Sequence, residues 1–174
     1  KSENVTLFNL FAVALLTWLH RVSGMDRLSI GMPHHNRHAA PFRDTVGLFI
    51  HVLPLQNTMD RKDTTVTVLR KLEREVSENL RHRPYYPENP AQSRVFDVVL
   101  NYQTAQFPRF NGYLAEQQWI HPGTQALPFV LHVHDFEGTG ELRLNMDFDC
   151  DLFDSKLRDE AVSQFLTIMD GILD

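Results

Sequence analysis

Histidine is the residue type in this sequence best suited to metal binding or proton transfer, and two groups of histidines stand out. His34, His35 and His38 lie close together, and His132 and His134 alternate so that both would point to the same face of a strand. Such spacings are compatible with zinc. We expect neither a cysteine cluster nor a neighbouring carboxylate to complete either group from the local sequence, so the sequence favours no metal site. Stoichiometric zinc retained by untagged protein in equilibrium dialysis would reverse that prediction.

Hydrophobic periodicity predicts the elements that must position these side chains. Apolar residues recur at helical spacing in three stretches, and strand-like runs separated by turn signals fill most of the remainder. The predicted helices span about 4–22 with Asn4 or Thr6 as cap, about 64–80, and the residues after a cap at Asp154; the predicted strands span 28–32, 46–55, 95–102, 129–135 and 141–147, the last two joined through Gly138-Thr139-Gly140. Helices that alternate with strands before a final hairpin predict an α/β protein with a mixed β-sheet backed by helices.

Two stretches lead to more specific expectations. The run LFIHVLPL inside 46–55 is apolar at nearly every position, which is typical of a strand covered on both faces. Residues 104–125 have no clean period and are predicted to form a long, structured excursion.

Composition limits the classes of protein to which the chain can belong. Its 174 residues suffice for one domain or one large lobe, and 43% hydrophobic with 22% charged residues is typical of a globular protein. No apolar run approaches the ~20 residues needed to span a bilayer, and no signal peptide opens the chain, so no membrane partner is predicted. A net charge of -5 disfavours nucleic acid as a partner. Because the single cysteine, Cys150, cannot form an internal disulfide, a cytoplasmic location is expected.

The most informative pattern lies in residues 29–56, where an apolar strand, a polar loop and a second apolar strand follow one another. The residues that define it are Ile30, Gly31, Pro33 and Arg37, then Gly47, Phe49, Leu53, Pro54 and Leu55. This order resembles the "IGxPxxxR" and "hGxFhNTLPhR" segments (h, hydrophobic) of the condensation domains of nonribosomal peptide synthetases. The first helix, NLRHRPYYP, FDVVLNYQ and LNMDFDCDLFD are similar to further segments of that family in the same order. The resemblance therefore extends over nearly the whole chain.

The resemblance implies a fold and a division of labour. Condensation domains have two lobes of chloramphenicol-acetyltransferase-like fold with a tunnel between them, and residues 1–174 resemble the C-terminal lobe. The catalytic HHxxxDG motif is expected in an N-terminal lobe preceding residue 1, so this lobe alone is expected to be inactive. The doublet His34-His35 is not that motif, because Ala39 and Ala40 stand where its Asp and Gly would fall. The implied partners are the N-terminal lobe, peptidyl carrier proteins and adjacent synthetase domains. No cofactor is expected to bind directly, since substrates arrive on the phosphopantetheine arms of the carriers.

The same resemblance places the strand 96–103 near the tunnel, which makes Asn101, Tyr102 and Gln103 candidate polar wall groups. The alternative is that Asn101 and Tyr102 only satisfy neighbouring backbone or water. Gly47 and Phe49 are expected to serve close packing of their strand. Arg37 is expected to anchor its loop rather than to contact a carrier protein.

Three positions depart from the family pattern. Its Asn-Thr pair is His51-Val52 here, and its arginine is Gln56. His51 is either a titrating wall group or, as the sequence favours, a histidine hydrogen-bonded within the core. These departures keep an alternative open: a lobe of an epimerization, ester-forming or degenerate condensation-like domain that acts as a docking scaffold. A free-standing binding domain would have to explain the ordered matches as chance.

Overall fold

The computed structural model describes residues 6–37, 43–82, 95–104, 109, 111–113, 118–121, 123–124, 126–136 and 140–174. In this part of the chain three helices and five strands follow one another. In chain order they are α1 (Leu7–Ser23), β1 (Arg27–His34), β2 (His51–Thr58), α2 (Thr65–His82), β3 (Val98–Gln103), β4 (Phe129–His134), β5 (Arg143–Phe148) and α3 (Ser155–Leu173). None of these helices is long and apolar enough to cross a membrane.

The strands form one mixed sheet in the order β2-β1-β3-β4-β5. The three central strands run parallel, while the two outer strands, β2 and β5, pair antiparallel with their neighbours. The prediction of an α/β fold with a mixed sheet backed by helices is therefore confirmed.

The hydrophobic core lies between one face of the sheet and the three helices. Strand side chains alternate between faces, so every second residue points to the helices. The core residues from the sheet include Leu28, Ile30, Leu55, Leu100 and Leu131, which pack against apolar residues of all three helices. The opposite face has no described helix over it, and we call it the helix-free face.

The helix ends agree with the caps predicted from the sequence. Thr6 Oγ1 accepts the backbone N–H of Asn9 at the start of α1, and that helix ends at Gly24 with a left-handed φ of 68°. Asp154 accepts the N–H of Leu157 at 2.8 Å at the start of α3. The alternative cap, Asn4, lies outside the described residues.

The prediction for β2 is wrong in its start and in its burial. The strand begins at His51, where pairing with β1 begins, and Val46 and Leu48 before it are 99% and 88% exposed. Within β2 burial alternates instead of covering both faces. The physical reason is that β2 is an outer strand with helices on one side only. Similarly, β3 begins at Val98 rather than at residue 95.

Gly31 on β1 offers a test of packing on the helix-free face. A Cβ at this position would lie 2.6 Å from the Phe96 ring and 2.7 Å from Val99 Cγ2. We expect Gly31→Val to lower the free energy of unfolding by about 1–3 kcal/mol, because the Phe96 ring has to move off the sheet. Urea unfolding followed by circular dichroism measures this change. Gly171→Ala is the matched control: nothing lies within 4 Å of its Cβ position in α3, so a neutral or slightly positive effect is expected.

Candidate functional site

A cluster of polar groups lies on the helix-free face of three adjacent strands. Because β3, β4 and β5 are neighbours, alternate residues along each of them form one continuous surface. The polar residues of this surface are Asn101 and Gln103 on β3, His132 and His134 on β4, and Arg143, Asn145 and Asp147 on β5.

Three of these side chains are joined in what we call the His132 network, which consists of Asn101, His132 and Asp147. His132 Nε2 lies 3.0 Å from Asp147 Oδ2, and His132 Nδ1 lies 3.0 Å from Asn101 Nδ2. The side chains of His132 and Asp147 are only 13% and 14% exposed. Both ring nitrogens of His132 are thus used within the protein, which fixes the orientation of the ring.

Aromatic and polar neighbours surround the network. The ring of Trp119 lies 4.4 Å from that of His132 and 5.8 Å from that of His134, between centroids. His134 Nε2 is hydrogen-bonded to Asn145 Nδ2 at 2.7 Å. His121 Nε2 approaches Asp147 Oδ2 to 3.7 Å. Trp119 therefore covers one side of the half-buried His132 ring and of the buried His134 ring.

Burial lowers the pKa of both strand histidines below the ordinary value of 6.5. For His132, desolvation is the largest cause; Asp147 opposes it by attraction and hydrogen bonding, and His134 and His121 add to it. For His134, desolvation acts together with the charge of Arg143. Both rings are therefore neutral at neutral pH.

These lowered pKa values predict how stability depends on pH. His132 and His134 bind protons less readily in the folded state than in the unfolded chain. The contribution of the two neutral rings to stability is therefore complete above about pH 6.5, and it is lost as the pH falls from there through their lowered pKa values. We expect the urea midpoint to decrease as the pH falls below about 6.5. A hydrogen bond from Lys71 lowers the pKa of Asp63 from the ordinary value of 3.8. Asp63 therefore affects the pH dependence of stability only at more acidic pH. A double variant, His132→Gln with His134→Gln, should lose most of this slope, and an unchanged slope would refute the assignment.

The structure separates the predicted wall residues. Asn101 and Gln103 lie on the helix-free face, whereas Tyr102 points to the helix side, with its ring centroid 6.3 Å from Phe8 and 6.4 Å from Phe11. Burial, followed by the charge of Asp135, raises the pKa of Tyr102. His51 is the first residue of β2 and lies two residues before Leu53, so its side chain is on the helix side of the sheet, where it is exposed. It therefore lies neither on the helix-free face nor in the core.

The residues of the predicted sequence motif hold the β1–β2 region together. Arg37 donates to the carbonyl oxygens of Thr45 and Gly47, the latter at 2.8 Å, and its guanidinium stacks 4.4 Å from the centre of the Phe49 ring. Phe49 precedes β2 by two residues and packs on Arg37 instead of within a strand. Arg37 thus has the contacts of a loop anchor.

In the paired strands, Gly31 lies opposite Pro54, and Pro33 opposite Val52. The Pro54 carbonyl oxygen accepts a hydrogen bond of 2.8 Å from Asn79 Nδ2 of α2. Because proline cannot donate a backbone hydrogen bond, its place on an outer strand is the expected one. The contacts of Gly31, Pro33 and Pro54 are therefore those of residues that hold the sheet together.

The two histidine groups differ in what surrounds them. His34 and His35 stack 4.7 Å apart, and each Nδ1 accepts the backbone N–H two residues further on. His38 lies outside the described residues. Among the residues that the structure describes, no three His, Cys, Asp or Glu side chains are grouped as metal ligands.

A groove of about 930 Å³ lies at the N-terminal end of β1, where β2 ends and β3 begins. It is lined by residues of both charges, among them Arg27, Asp60 and Arg74, and by Ser29, whose buried hydroxyl has no hydrogen-bond partner in the described structure. No side chain of the His132 network lines it.

Sequence reasoning missed Asp147, Asn145 and Trp119. The alternation in RLNMDF places Arg143, Asn145 and Asp147 on one face, which is the signal that could have found the two strand residues. Trp119 belongs to the stretch without a period, and no local pattern indicates which strand it covers.

Comparison with known proteins gives consistent matches. A family model described as the condensation domain matches residues 1–174. Surfactin synthase subunit 1 of Bacillus subtilis (strain 168) is 24% identical over 183 residues, which cover 99% of this chain and 5% of that protein. Phosphinothricin tripeptide synthetase PhsB of Streptomyces viridochromogenes is 23% identical over 189 residues, covering 100% of this chain and 16% of that protein. The chain thus spans a small part of each of these relatives.

Solved structures match in fold. The starter condensation domain of rhizomide synthetase RzmA superimposes with a TM-score of 0.73 and 21% identity, covering 96% of this chain and 41% of that chain. A structure concerned with condensation domain-mediated chain release from the enacyloxin polyketide synthase matches with a TM-score of 0.74 and 16% identity. The match covers 97% of this chain and 36% of that chain.

Proposed function

The chain belongs to the condensation-domain family, and on that premise we propose that it forms the C-terminal lobe of a domain that joins two groups presented as thioesters on carrier proteins. The second lobe, with the HHxxxDG motif, is supplied by other residues. The carrier proteins and the adjacent synthetase domains are its partners in this proposal.

The proposed reaction is amide formation. The nitrogen of the acceptor amine attacks the carbonyl carbon of the donor thioester, a carbon–nitrogen bond forms and the carbon–sulfur bond breaks. The proton lost by the amine restores the thiol of the donor's phosphopantetheine arm. Much of the rate enhancement in such a reaction comes from holding the two groups in line, which is the contribution that a wall residue can make.

The observation that carries this proposal is the asymmetry of the sheet. All three described helices pack on one face, whereas the other presents the uncharged amides of Asn101 and Gln103 beside the His132 network. On this face the two amides and the neutral rings of His132 and His134 can bind the polar groups of an acyl chain, while the charges of Asp147 and Arg143 lie beside those rings. The match to 41% of a solved condensation domain is consistent with a second lobe that covers this face.

An ester-forming or chain-releasing relative would use the same lobe. The enacyloxin match gives this alternative its support, and so does the chemistry of the helix-free face, because an amide wall group can bind either an amine or a hydroxyl acceptor. The departure at Gln56 lies on outer strand β2, and β1 separates it from β3, the nearest strand of the His132 network. A docking scaffold is therefore less well supported than an active lobe.

The test uses a polypeptide in which this chain is joined to the rest of its condensation domain. A panel of aminoacyl donors and of amine or hydroxyl acceptors is loaded on carrier proteins, and the acceptor carrier is followed by intact-protein mass spectrometry. We expect the acceptor carrier to gain the mass of the donor acyl group, and to gain none when the second histidine of HHxxxDG is replaced by alanine. Loaded carriers that remain unchanged with every pair would contradict the proposal.

A further inference from the structure

We propose that His132 and Asp147 are positioning residues, which orient the side-chain amide of Asn101 so that its carbonyl oxygen faces the reaction passage and accepts a hydrogen bond from the attacking acceptor group. This inference rests on the proposed function.

The first step concerns Asp147 and the proton of His132. An ionised carboxylate can only accept hydrogen bonds, so the contact of 3.0 Å to His132 Nε2 requires a proton on that nitrogen. Asp147 thereby selects the tautomer of His132. The same logic governs carboxylate–histidine pairs in which one ring nitrogen sets the role of the other.

The second step concerns the other ring nitrogen. Because burial holds the His132 ring neutral, its single proton is on Nε2 and Nδ1 has only a lone pair. The partner of Nδ1 at 3.0 Å must then be a donor. Asn101 can meet this requirement only by turning its NH₂ group toward His132.

The third step concerns what remains of the amide. With Nδ2 bound to His132, the oxygen Oδ1 of Asn101 points away from the ring. Among the described residues, no group donates to Oδ1, and Asn101 is only half-buried, which leaves this oxygen able to accept a hydrogen bond from a bound group. If Asn101 were not held in this way, the amide could turn by 180° and offer a donor instead.

An acceptor at this place has a defined use. A neutral amine or hydroxyl that donates a proton to Oδ1 has its direction of approach restricted, which leaves its lone pair free to attack the thioester carbonyl. The titratable and charged groups around His132 are Asp147 on β5, His134 on β4 with Arg143 beside it, and His121. Protonation of His132 at low pH would place a proton on Nδ1 and force the Asn101 amide to turn.

The tautomer is tested directly by nitrogen-15 NMR of histidine-labelled protein, on the polypeptide that contains the whole condensation domain. The His132 signals are assigned by their loss in His132→Gln. We expect long-range couplings of a ring protonated at Nε2, with Nδ1 unprotonated at about neutral pH. A ring protonated at Nδ1 would overturn the proposal whatever the activity of the protein.

The coupling between His132 and Asn101 is tested by a double-mutant cycle on the condensation rate. We expect His132→Leu and Asn101→Ala each to lower kcat about tenfold with little change in KM for the acceptor carrier, and the double variant to lose no more than either single one. His132→Gln, which retains both an acceptor and a donor, should recover part of the rate. Losses that multiply in the double variant would show that the two residues act independently.

Two controls separate this inference from its alternatives. His20→Gln, on α1 and outside the network, should leave kcat unchanged. The ratio of the wild-type rate to the His132→Gln rate should be constant above about pH 6.5 and fall at lower pH, whereas a purely structural histidine would give a constant ratio. Urea midpoints confirm that each variant is folded at the assay temperature. An inactive wild type with the expected tautomer would refute the proposed function and leave the orientation of Asn101 established.

Discussion

Replacement of Phe165 by alanine is expected to lower the free energy of unfolding by about 3–5 kcal/mol, enough to unfold a marginally stable protein. Phe165 belongs to α3, is 1% exposed and is the largest of the fully buried side chains in the described structure. It belongs to the core between the three helices and the helix side of the sheet, so its removal leaves a cavity in that core. Urea unfolding followed by tryptophan fluorescence and circular dichroism gives the change.

Leu166→Ala provides the matched control for this prediction. It is the next residue of the same helix, but its side chain is 43% exposed, so the loss should stay below about 1 kcal/mol. Similar losses for the two variants would mean that α3 does not pack on the sheet as described.

The helices were the most predictable part of the fold, because each has an apolar stripe and at least two have a side-chain cap. In α3 the apolar stripe consists of Ala161, Phe165, Ile168 and Met169, and all four are buried. Leu157 has the same spacing but is 46% exposed. Periodicity identifies the face of a helix that packs, whereas the point along the helix at which its partner layer begins depends on tertiary structure.

The start of β2 could not be predicted, because an apolar run has no period from which a boundary can be read. The run from Leu48 to Leu55 crosses from an exposed segment into a half-buried strand without a change in composition. What distinguishes the two parts is long-range: pairing begins where His34 and His51 meet, and the segment before it is bound by Arg37.

The placement of the candidate site residues on one face was predicted in part. Alternation placed His132 and His134 on one face, and the resemblance to condensation domains selected Asn101 and Gln103, which lie on the same face. The partner of His132 could not be derived, because Asn145 is its direct opposite in the β4–β5 pairing and the hydrogen bond goes diagonally to Asp147. Tyr102 could have been separated from its neighbours by alternation alone.

Replacement of Gln103 by tryptophan is expected to reduce kcat/KM of condensation about a hundredfold, if the helix-free face lines the reaction passage. Gln103 ends β3 on the same face as Asn101, two residues further on, and is half-buried. An indole at this position fills space in front of the sheet without entering the core, so the urea midpoint should change little. The measurement is the rate of product formation on loaded carrier proteins, together with the unfolding curve of each variant.

Thr167→Trp introduces the same bulk on the other side of the protein. Thr167 is an exposed residue of α3 in the helix layer, so this variant should condense at the wild-type rate. Gln103→Ala removes the amide without adding bulk. A decrease in kcat/KM much smaller than that of the tryptophan variant would show that the indole obstructs the passage. A Gln103→Trp protein that is folded and condenses at the wild-type rate would remove the helix-free face from the reaction passage, because a side chain of that size cannot share a substrate channel without displacing the substrate.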